Sequence, residues 1–465
     1  MEIKPTSGRF TVYAGAYLKQ DSDVHNGGGT NETALLQAIL DKAEEWGGLT
    51  LEVDGAILTE QLILHSNTTI RCANRNCGFY QADRSNRPLV RNAHPDCKVI
   101  REENIALLGG TYNFNCEHQE RTDGSKPAPD EQVPAEYWMY HTNHAFSFTG
   151  VRGLTIRDLR TIDHRVFCGL FTNWEHIVIE NVGIELPHNY YAQNQDGFHF
   201  WGPGRDLSIR NIRGCSGDDF MALAPDEHDF KSDITDVLID GVYLENADQG
   251  IRMLSRGVGT LDRVTVRNVY GTYKSCGFII NPWFGVGYGD ARGNFGSITL
   301  ENIRLRTTEH KYAPIAWPFL FRIGGRIRSL TLKDIQAVEP NDSRKLVDIS
   351  HLFGGYISKK SFVDIAELTV DGLEVLNREG TTEPTDYISV DGKVDHLTVR
   401  NVLVNRDGHP AQDNVLHIKD GAEIGTLTVE NVQGYGVERA VAVDDGAAVG
   451  QTYKHFVFCN SEKEE

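Results

Sequence analysis

Residues 194–223 read NQDGFHFWGPGRDLSIRNIRGCSGDDFMAL, and the phrase at 207–212 within this stretch decides the fold. The phrase runs apolar, Thr or a similar residue, apolar, polar, then Asn, Asp or Gly, then apolar. It occurs ten times, at intervals of 23 to 38 residues along the printed sequence. The copies begin at Leu154, Ile177, Leu207, Val237, Val264, Ile298, Leu330, Leu368, Leu397 and Leu427. Short alternating runs predict β-strands, and their recurrence predicts a repeat architecture.

A single copy of the phrase cannot bury its own apolar face, so the copies are expected to stack. In most copies a second apolar stretch follows after a turn, for example at 220–223, which gives two or three short strands per copy. Propeller blades are the main alternative, but their repeats of about 40–45 residues are longer than most intervals here. The sequence therefore predicts an all-β fold: one right-handed parallel β-helix domain over 1–465, with about ten to twelve coils. The recurring Asn or Asp is expected at one turn of each coil, bonding nearby backbone groups.

The segment 28–50 differs from the repeats, because its apolar residues follow a helical period. A Gly-rich loop is followed by Thr30 or Asn31 as a helix cap, and Gly47 with Gly48 can end the helix. A short helix ahead of stacked strands is expected to cap the open end of the β-helix.

Three long insertions interrupt the rhythm of the repeats, at 114–145, 184–193 and 281–293. In a β-helix, insertions leave at the turns and can wall a groove, and the first is expected to lie over a cleft. It contains Trp138, whose ring could stack on a sugar. The alternative is that these loops only cover exposed strand edges.

Composition excludes several classes of partner. The 465-residue chain has a net charge of −19 and no Lys/Arg block, so nucleic acid and acidic membrane surfaces are not expected partners. No apolar run approaches the roughly 20 residues that span a bilayer, and the N-terminus lacks a signal-peptide pattern, which predicts a soluble cytoplasmic protein. The sequence leaves the oligomeric state open.

The eight cysteines are scattered, and their closest pair, Cys72 and Cys77, has no metal-binding spacing. They are interpreted as reduced thiols in a reducing compartment. The sequence predicts no metal site and no cofactor.

Asp196, Asp218 and Asp219 are the candidate catalytic residues. Asp196 and Asp218 each precede the second apolar stretch of a copy, so stacking at about 4.8 Å would make them neighbours. Side chains alternate along a strand, so Asp219 can join them only if the chain bends, as Gly217 could permit. Repulsion between clustered carboxylates raises the pKa of at least one. Glycoside hydrolysis needs this division, with one acid to protonate the leaving oxygen and one carboxylate to activate water.

The two acidic boxes resemble those of glycoside hydrolase family 28, the polygalacturonase family, whose members share the right-handed, pectin-lyase-like parallel β-helix. Residues 194–197, NQDG, are similar to the family's Asn-Thr-Asp-Gly motif, and 217–219 match its Gly-Asp-Asp motif. The resemblance extends over most of 28–310. It implies that Asp218 is the general acid and that Asp196 and Asp219 position the water, with inversion of configuration.

The chain departs from this family where a uronate would bind. Arg252 is the likeliest counterpart of a family Arg, but Leu254 stands where the family has Lys. Gln249 stands where a His is expected, and His199 where a further Asp is expected. These changes predict a divergent member acting on a glycan other than plain polygalacturonate. The predicted substrate-binding residues are Asn194, His199, Gln249, Arg252, Arg256 and Trp138.

The sequence thus predicts an inverting glycoside hydrolase for a plant or microbial oligo- or polysaccharide, and the large loops favour exo action on oligosaccharides. One alternative is a polysaccharide lyase or epimerase on the same scaffold, with Ca²⁺ held by the acids. The other is a β-helix that binds glycans without catalysis.

Overall fold

The computed structural model describes residues 2–120, 143–188, 194–227, 232–282, 292–308, 319–338, 346–350, 363–376, 386–406 and 414–460. These residues lie mostly in β-strands. Trp138 lies outside the described residues, as do most of the 114–145 insertion and parts of the other two. Within the described ranges, no helix is long and apolar enough to cross a membrane.

The helices are α1 (Thr33–Leu40) and α2 (Lys42–Trp46), with short 3-10 turns at Ala14–Ala16 and Cys116–His118. The strands are β1 (Thr11–Tyr13), β2 (Leu49–Val53), β3 (Ala56–Thr59), β4 (Leu62–Leu64), β5 (Thr68–Cys72), β6 (Gly78–Gln81), β7 (Val90–Asn92), β8 (Glu102–Leu108), β9 (Thr111–Asn113), β10 (Phe146–Arg157), β11 (Arg160–Ile162), β12 (Gly169–Glu185), β13 (Phe198–Gly214), β14 (Asp219–Ala224), β15 (Ile234–Leu254), β16 (Leu261–Asn281), β17 (Phe295–Thr307), β18 (Phe319–Ile323), β19 (Gly325–Val338), β20 (Val347–Ser350), β21 (Val363–Leu376), β22 (Ile388–Asp391), β23 (Lys393–Asn405), β24 (Asn414–Ile418), β25 (Glu423–Tyr435), β26 (Arg439–Val443) and β27 (Ala448–Cys459). The chain forms two compact units, Met1–Ala222 and Leu223–Glu465. A single domain over 1–465 stays a prediction.

The first unit is built from three parallel ladders. One joins β1, β2, β5, β8, β10, β12 and β13 in succession. The second joins β3, β6, β9, β11 and the end of β12. The third joins β4, β7 and the start of β10. Because each strand pairs with the strand one coil later, this unit is a parallel β-helix.

The second unit repeats this arrangement with two parallel ladders. One joins β15, β16, β17, β19, β21, β23, β25 and β27. The other joins β16, β18, β20, β22, β24 and β26. The predicted all-β, parallel β-helix fold is confirmed.

The repeated phrase sets the register of the long ladder within each unit. In the first unit the successive partners are Leu154, Ile177 and Leu207. In the second they are Val237, Val264, Ile298, Leu330, Leu368, Leu397 and Leu427. All ten side chains are buried. The ladder also reaches back to Ile105, which pairs with Leu154. The sequence prediction missed this copy because Leu108 stands at its polar position.

The fifth residue of all ten copies is Asn, Asp or Gly, and every one has a positive φ between 50° and 85°. This left-handed conformation favours these residue types. The side chains bond one another between coils: Asn181 Nδ2 donates to Asp158 Oδ1 (2.8 Å), and Asn211 Nδ2 donates to Asn181 Oδ1 (3.1 Å). The turn position was predicted correctly. The bonding partners differ from the predicted backbone groups, because matching side chains lie one strand spacing apart.

The predicted N-terminal capping helix is present as α1 and α2. Asn31 Oδ1 accepts the backbone N–H of Thr33 (3.1 Å), and Gly47 ends α2 with a φ of 78°. Gln37 fastens α1 to β4: its Oε1 accepts the N–H of Ile63 and its Nε2 donates to the carbonyl of Ile63, both at 3.0 Å. The helix thus covers polar backbone groups that would otherwise lie at a sheet edge.

All eight cysteines carry free thiols, and seven of them are buried. Burial raises the pKa of Cys168 to about 12. A thiol with such a pKa stays protonated at neutral pH and is a poor nucleophile. This agrees with the interpretation of the cysteines as reduced thiols.

Candidate active site

Two backbone hydrogen bonds fasten the acidic boxes of successive coils together in the first unit. The N–H of Gly197 donates to the carbonyl of Asp219 (2.9 Å), and the N–H of Gly217 donates to the carbonyl of Gln195 (3.0 Å). Asp196 lies between Gln195 and Gly197, and Asp218 lies between Gly217 and Asp219. The structure therefore places Asp196 and Asp218 side by side, between the same two hydrogen bonds.

Local sequence explains why the chain can approach itself so closely here. A Cβ atom at Gly197 would lie 2.2 Å from the carbonyl oxygen of Phe220, so only glycine fits. Residues 217–218 form a bend, and β14 begins at Asp219. The bend interrupts strand alternation, which the clustering of these acids requires, so Asp218 and Asp219 need not face opposite sides.

Asp196 is a buried acid whose pKa is raised. Its side chain is about 3% exposed, and Oδ2 is 2.9 Å from Nδ1 of His199. Burial raises its pKa well above the usual range, and the charges of Asp218 and Asp219 raise it further, whereas the His199 hydrogen bond opposes the shift. Among the described residues, no donor reaches its Oδ1. The protonated form of Asp196 is therefore favoured by its surroundings, and the hydrogen bond from His199 favours the ionised form.

The His199 ring is held in place by aromatic neighbours. It stacks on Phe167, with centroids 4.6 Å apart and planes 14° apart, and meets Trp201 edge-on at 5.9 Å. Phe167 in turn stacks on His144 at 4.6 Å. These contacts fix the imidazole that bonds Asp196. The sequence had predicted His199 as a substrate contact, and the structure shows its Nδ1 engaged by Asp196.

Asp218 differs from the other two acids in being partly exposed. Its Oδ2 accepts the backbone N–H of Asn194 (3.0 Å). Asn194 has a φ of 58°, a left-handed conformation that asparagine adopts more readily than most residues. Asp219 is buried. Asp218 is thus the acid of the three that solvent can reach.

A buried histidine that the sequence analysis did not single out lies behind this group. His164 is fully buried, and burial lowers its pKa to about 3. Its backbone carbonyl accepts a hydrogen bond from Nε2 of Gln195 (2.8 Å). His164 is therefore neutral at working pH and supports the backbone that carries Asp196. An isolated His outside a motif gave no sequence signal for this role.

The remaining predicted contact residues belong to the second unit. Gln249 and Arg252 lie on β15 in register with Cys276 and Ile279, and all but a small fraction of their surface is buried. Arg256 follows β15, and its backbone N–H donates to Asp226 Oδ1 (2.9 Å). The structure thus brings together Asn194, Asp196, His199, Asp218 and Asp219 within the first unit.

The second unit also contains a column of residues that are polar except for Ile279, and this column was not predicted from the sequence. Successive partners on its short ladder are Arg252, Ile279, Arg322, Asp348, Ser389 and His417. Arg322 lies over the Phe319 ring at 4.5 Å and is 3.9 Å from Asp348. The signal in the sequence was a polar residue inside a short apolar strand, such as Arg322 in FLFRI.

No protein-family model matches this chain, and no curated protein matches it in sequence. Solved structures do resemble it. An exopolygalacturonase from Thermotoga maritima is 13% identical with a TM-score of 0.52, covering 96% of this chain and 93% of that one. The family 28 exopolygalacturonase of Yersinia enterocolitica is 14% identical, with a TM-score of 0.53 and coverage of 89% and 79%. A tailspike protein of Escherichia coli bacteriophage HK620, solved with a pentasaccharide, is 10% identical, with a TM-score of 0.61 and coverage of 92% and 77%. At these identities the likeness concerns the fold.

Proposed function

We propose that this protein is a carbohydrate-active β-helix, specifically a glycoside hydrolase that cleaves a plant or microbial oligo- or polysaccharide with inversion. The observation that carries the proposal is the placement of Asp196 beside Asp218, with a raised pKa at Asp196. Clustered carboxyl groups can share the acid and base roles that glycoside hydrolysis requires.

Asp218 is the proposed general acid, because solvent reaches it and a glycosidic oxygen could approach it. It donates a proton to the leaving oxygen as the bond from that oxygen to the anomeric carbon breaks. A water held by Asp196 and Asp219 attacks the anomeric carbon from the opposite face and gives its proton to Asp196. The charges of Asp218 and Asp219 raise the pKa of Asp196, so the protonation of Asp196 depends on both neighbours.

His199 supports the ionised form of Asp196 in this scheme. Its hydrogen bond opposes the rise in the pKa of Asp196, and its ring provides a site to which the proton of Asp196 can move. Family 28 resemblance implies a further Asp at this position. His199 in place of that Asp, and Leu254 in place of a family Lys, support a substrate other than plain polygalacturonate.

Two solved structures of similar fold support the proposal without settling the substrate. One is an exopolygalacturonase, and the other holds a pentasaccharide. The first hypothesis to test by a substrate screen is therefore exo action on short oligosaccharides.

The test is a screen of defined plant and bacterial oligosaccharides, read by mass spectrometry, with Asp218→Asn as the key variant. Hydrolysis adds one water across the cleaved bond, and the variant is expected to lose about 10²–10⁴-fold in rate. Asp206→Asn is the matched control, since Asp206 is an exposed Asp that pairs with an exposed His176. The first product's anomeric configuration by proton NMR tests inversion.

Three outcomes would overturn the proposal. An unsaturated, ultraviolet-absorbing product that a chelator abolishes would indicate a lyase. Binding without turnover would indicate a glycan-binding protein. Turnover unaffected by Asp218→Asn would remove the acidic group from the mechanism.

A further inference from the structure

Two turns of the first unit bring two histidines and a glutamate together, away from the acidic boxes. His65 follows β4, His94 follows β7, and Glu102 is the first residue of β8. Because β4 and β7 pair in parallel, the turns that follow them lie on consecutive coils. One ligand atom from each of the three residues lies within 4.8 Å of the other two.

Each side chain is already oriented by its neighbours. Nε2 of His65 is 3.1 Å from Oδ1 of Asp41. The same oxygen accepts a hydrogen bond from Nε2 of Gln37 (2.7 Å). When Nε2 carries the hydrogen of a neutral imidazole, Nδ1 carries the lone pair that can bind a metal. A carboxylate behind a histidine is the usual outer partner in protein metal sites.

Glu102 is a buried carboxylate with little counter-charge. Its side chain is 3% exposed, Oε2 accepts the hydroxyl of Ser66, and Oε1 is 2.7 Å from Nδ1 of His94. Among the described residues, His94 is the only basic side chain within ion-pair distance of Glu102. A buried carboxylate is stabilised by a nearby cation. His94 is 58% exposed, so solvent can reach this position.

We propose that His65, His94 and Glu102 bind a divalent transition-metal ion that links consecutive coils beneath helix α1. Two imidazole nitrogens and one carboxylate oxygen, with a position left for water, are a donor set that suits Zn²⁺. Ca²⁺ and Mg²⁺ prefer oxygen ligands and fit this set poorly. Tetrahedral Zn²⁺ with bonds of about 2.0–2.1 Å requires ligand atoms roughly 3.3 Å apart, so His94 on its exposed turn moves inward. His65, His94 and Glu102 are not in a recognisable metal-binding spacing, so this site was not predicted from the sequence.

The experiment is calorimetric titration of the full-length, untagged protein with ZnCl₂, in wild type and in His94→Gln. Wild type is expected to bind one equivalent, and His94→Gln is expected to bind at least about tenfold more weakly. His176→Gln is the matched control, because His176 is also an exposed histidine 2.8 Å from a carboxylate. It is expected to bind like wild type.

Circular dichroism confirms that the variants fold, and Co²⁺ added to wild type provides a readout that needs no variant. Intense visible absorption typical of four-coordinate Co²⁺, displaced by one equivalent of Zn²⁺, supports the site. Wild type that binds no Zn²⁺, or His94→Gln that binds it as tightly as wild type, would overturn the proposal.

Discussion

Asp196 and His199 form a buried hydrogen-bonded pair in the first unit, with Oδ2 and Nδ1 2.9 Å apart and both side chains at most 4% exposed. The hydrogen bond counteracts part of the rise in the pKa of Asp196 that burial causes. Asp196 is the proposed proton acceptor, so its partner should affect the pH dependence of the reaction.

His199→Gln is therefore expected to move the acid limb of the profile of kcat/KM against pH to higher pH. Without the imidazole, the pKa of Asp196 rises further, and the carboxylate forms only at higher pH. The measurement is the full pH profile on the substrate identified by the screen. His176→Gln serves as the control, and an acid limb that stays in place would exclude His199 from this role.

Gly197→Ala is expected to destabilise the fold, because the new Cβ would lie 2.2 Å from the carbonyl oxygen of Phe220. Relief requires the two coils to separate at the acidic boxes. The expected loss is roughly 1–3 kcal/mol in the free energy of unfolding, measured by urea denaturation. Gly183→Ala is the matched control, since its Cβ would meet nothing closer than 3.9 Å. Equal effects of the two changes would contradict the steric explanation.

Asn181→Ala is expected to cost about 1–2 kcal/mol in the free energy of unfolding. Alanine is strained in the left-handed conformation of Asn181 (φ 56°), and the bonds to Asp158 and Asn211 are lost. Asn181→Gly removes the same two bonds but tolerates the conformation. A smaller loss for Gly than for Ala, by urea denaturation, would separate the two contributions. Identical losses would assign the effect to the hydrogen bonds alone.

His188 is expected to titrate above its ordinary pKa, because Nδ1 lies 2.7 Å from Oδ2 of Asp163 and the carboxylate favours the imidazolium. A raised folded pKa means that the stabilisation is complete below the unfolded value, near 6.5, and is lost as pH rises through the folded value. Histidine-labelled NMR, assigned with His188→Gln, measures the midpoint. Asp163→Asn should lower it, and an unchanged midpoint would exclude Asp163 as the cause.

Much of the fold was predictable because it is encoded in local, repeated chemistry. The apolar first residue of each phrase and its Asn, Asp or Gly turn residue appear directly in the printed sequence, and both fall in register. The acidic boxes were found because Asp196 and Asp218 each precede the second apolar stretch of a copy and because both boxes resemble family 28 motifs.

The surroundings of the acids were not predictable from the same patterns. Phe167 reaches His199 from the preceding coil, and the distance along the chain between them depends on the length of an irregular turn. His65, His94 and Glu102 meet for a similar reason, across turns of unequal length. Such contacts depend on the length and path of each turn, which the periodic pattern of the sequence does not predict.

The turn residue with positive φ has a consequence for how this chain can change over time. Each copy has one left-handed residue at its turn, and where that residue is Asn181 or Asn211 its side chain bonds the matching residue of the neighbouring coil. The connections between phrases vary so that copies lie 23 to 38 residues apart, yet the alignment holds within each unit. Insertions, deletions and substitutions in the connecting segments can therefore occur without disturbing the stacked strands. Substrate preference in such an architecture is free to diverge long after the stacking rules have become fixed.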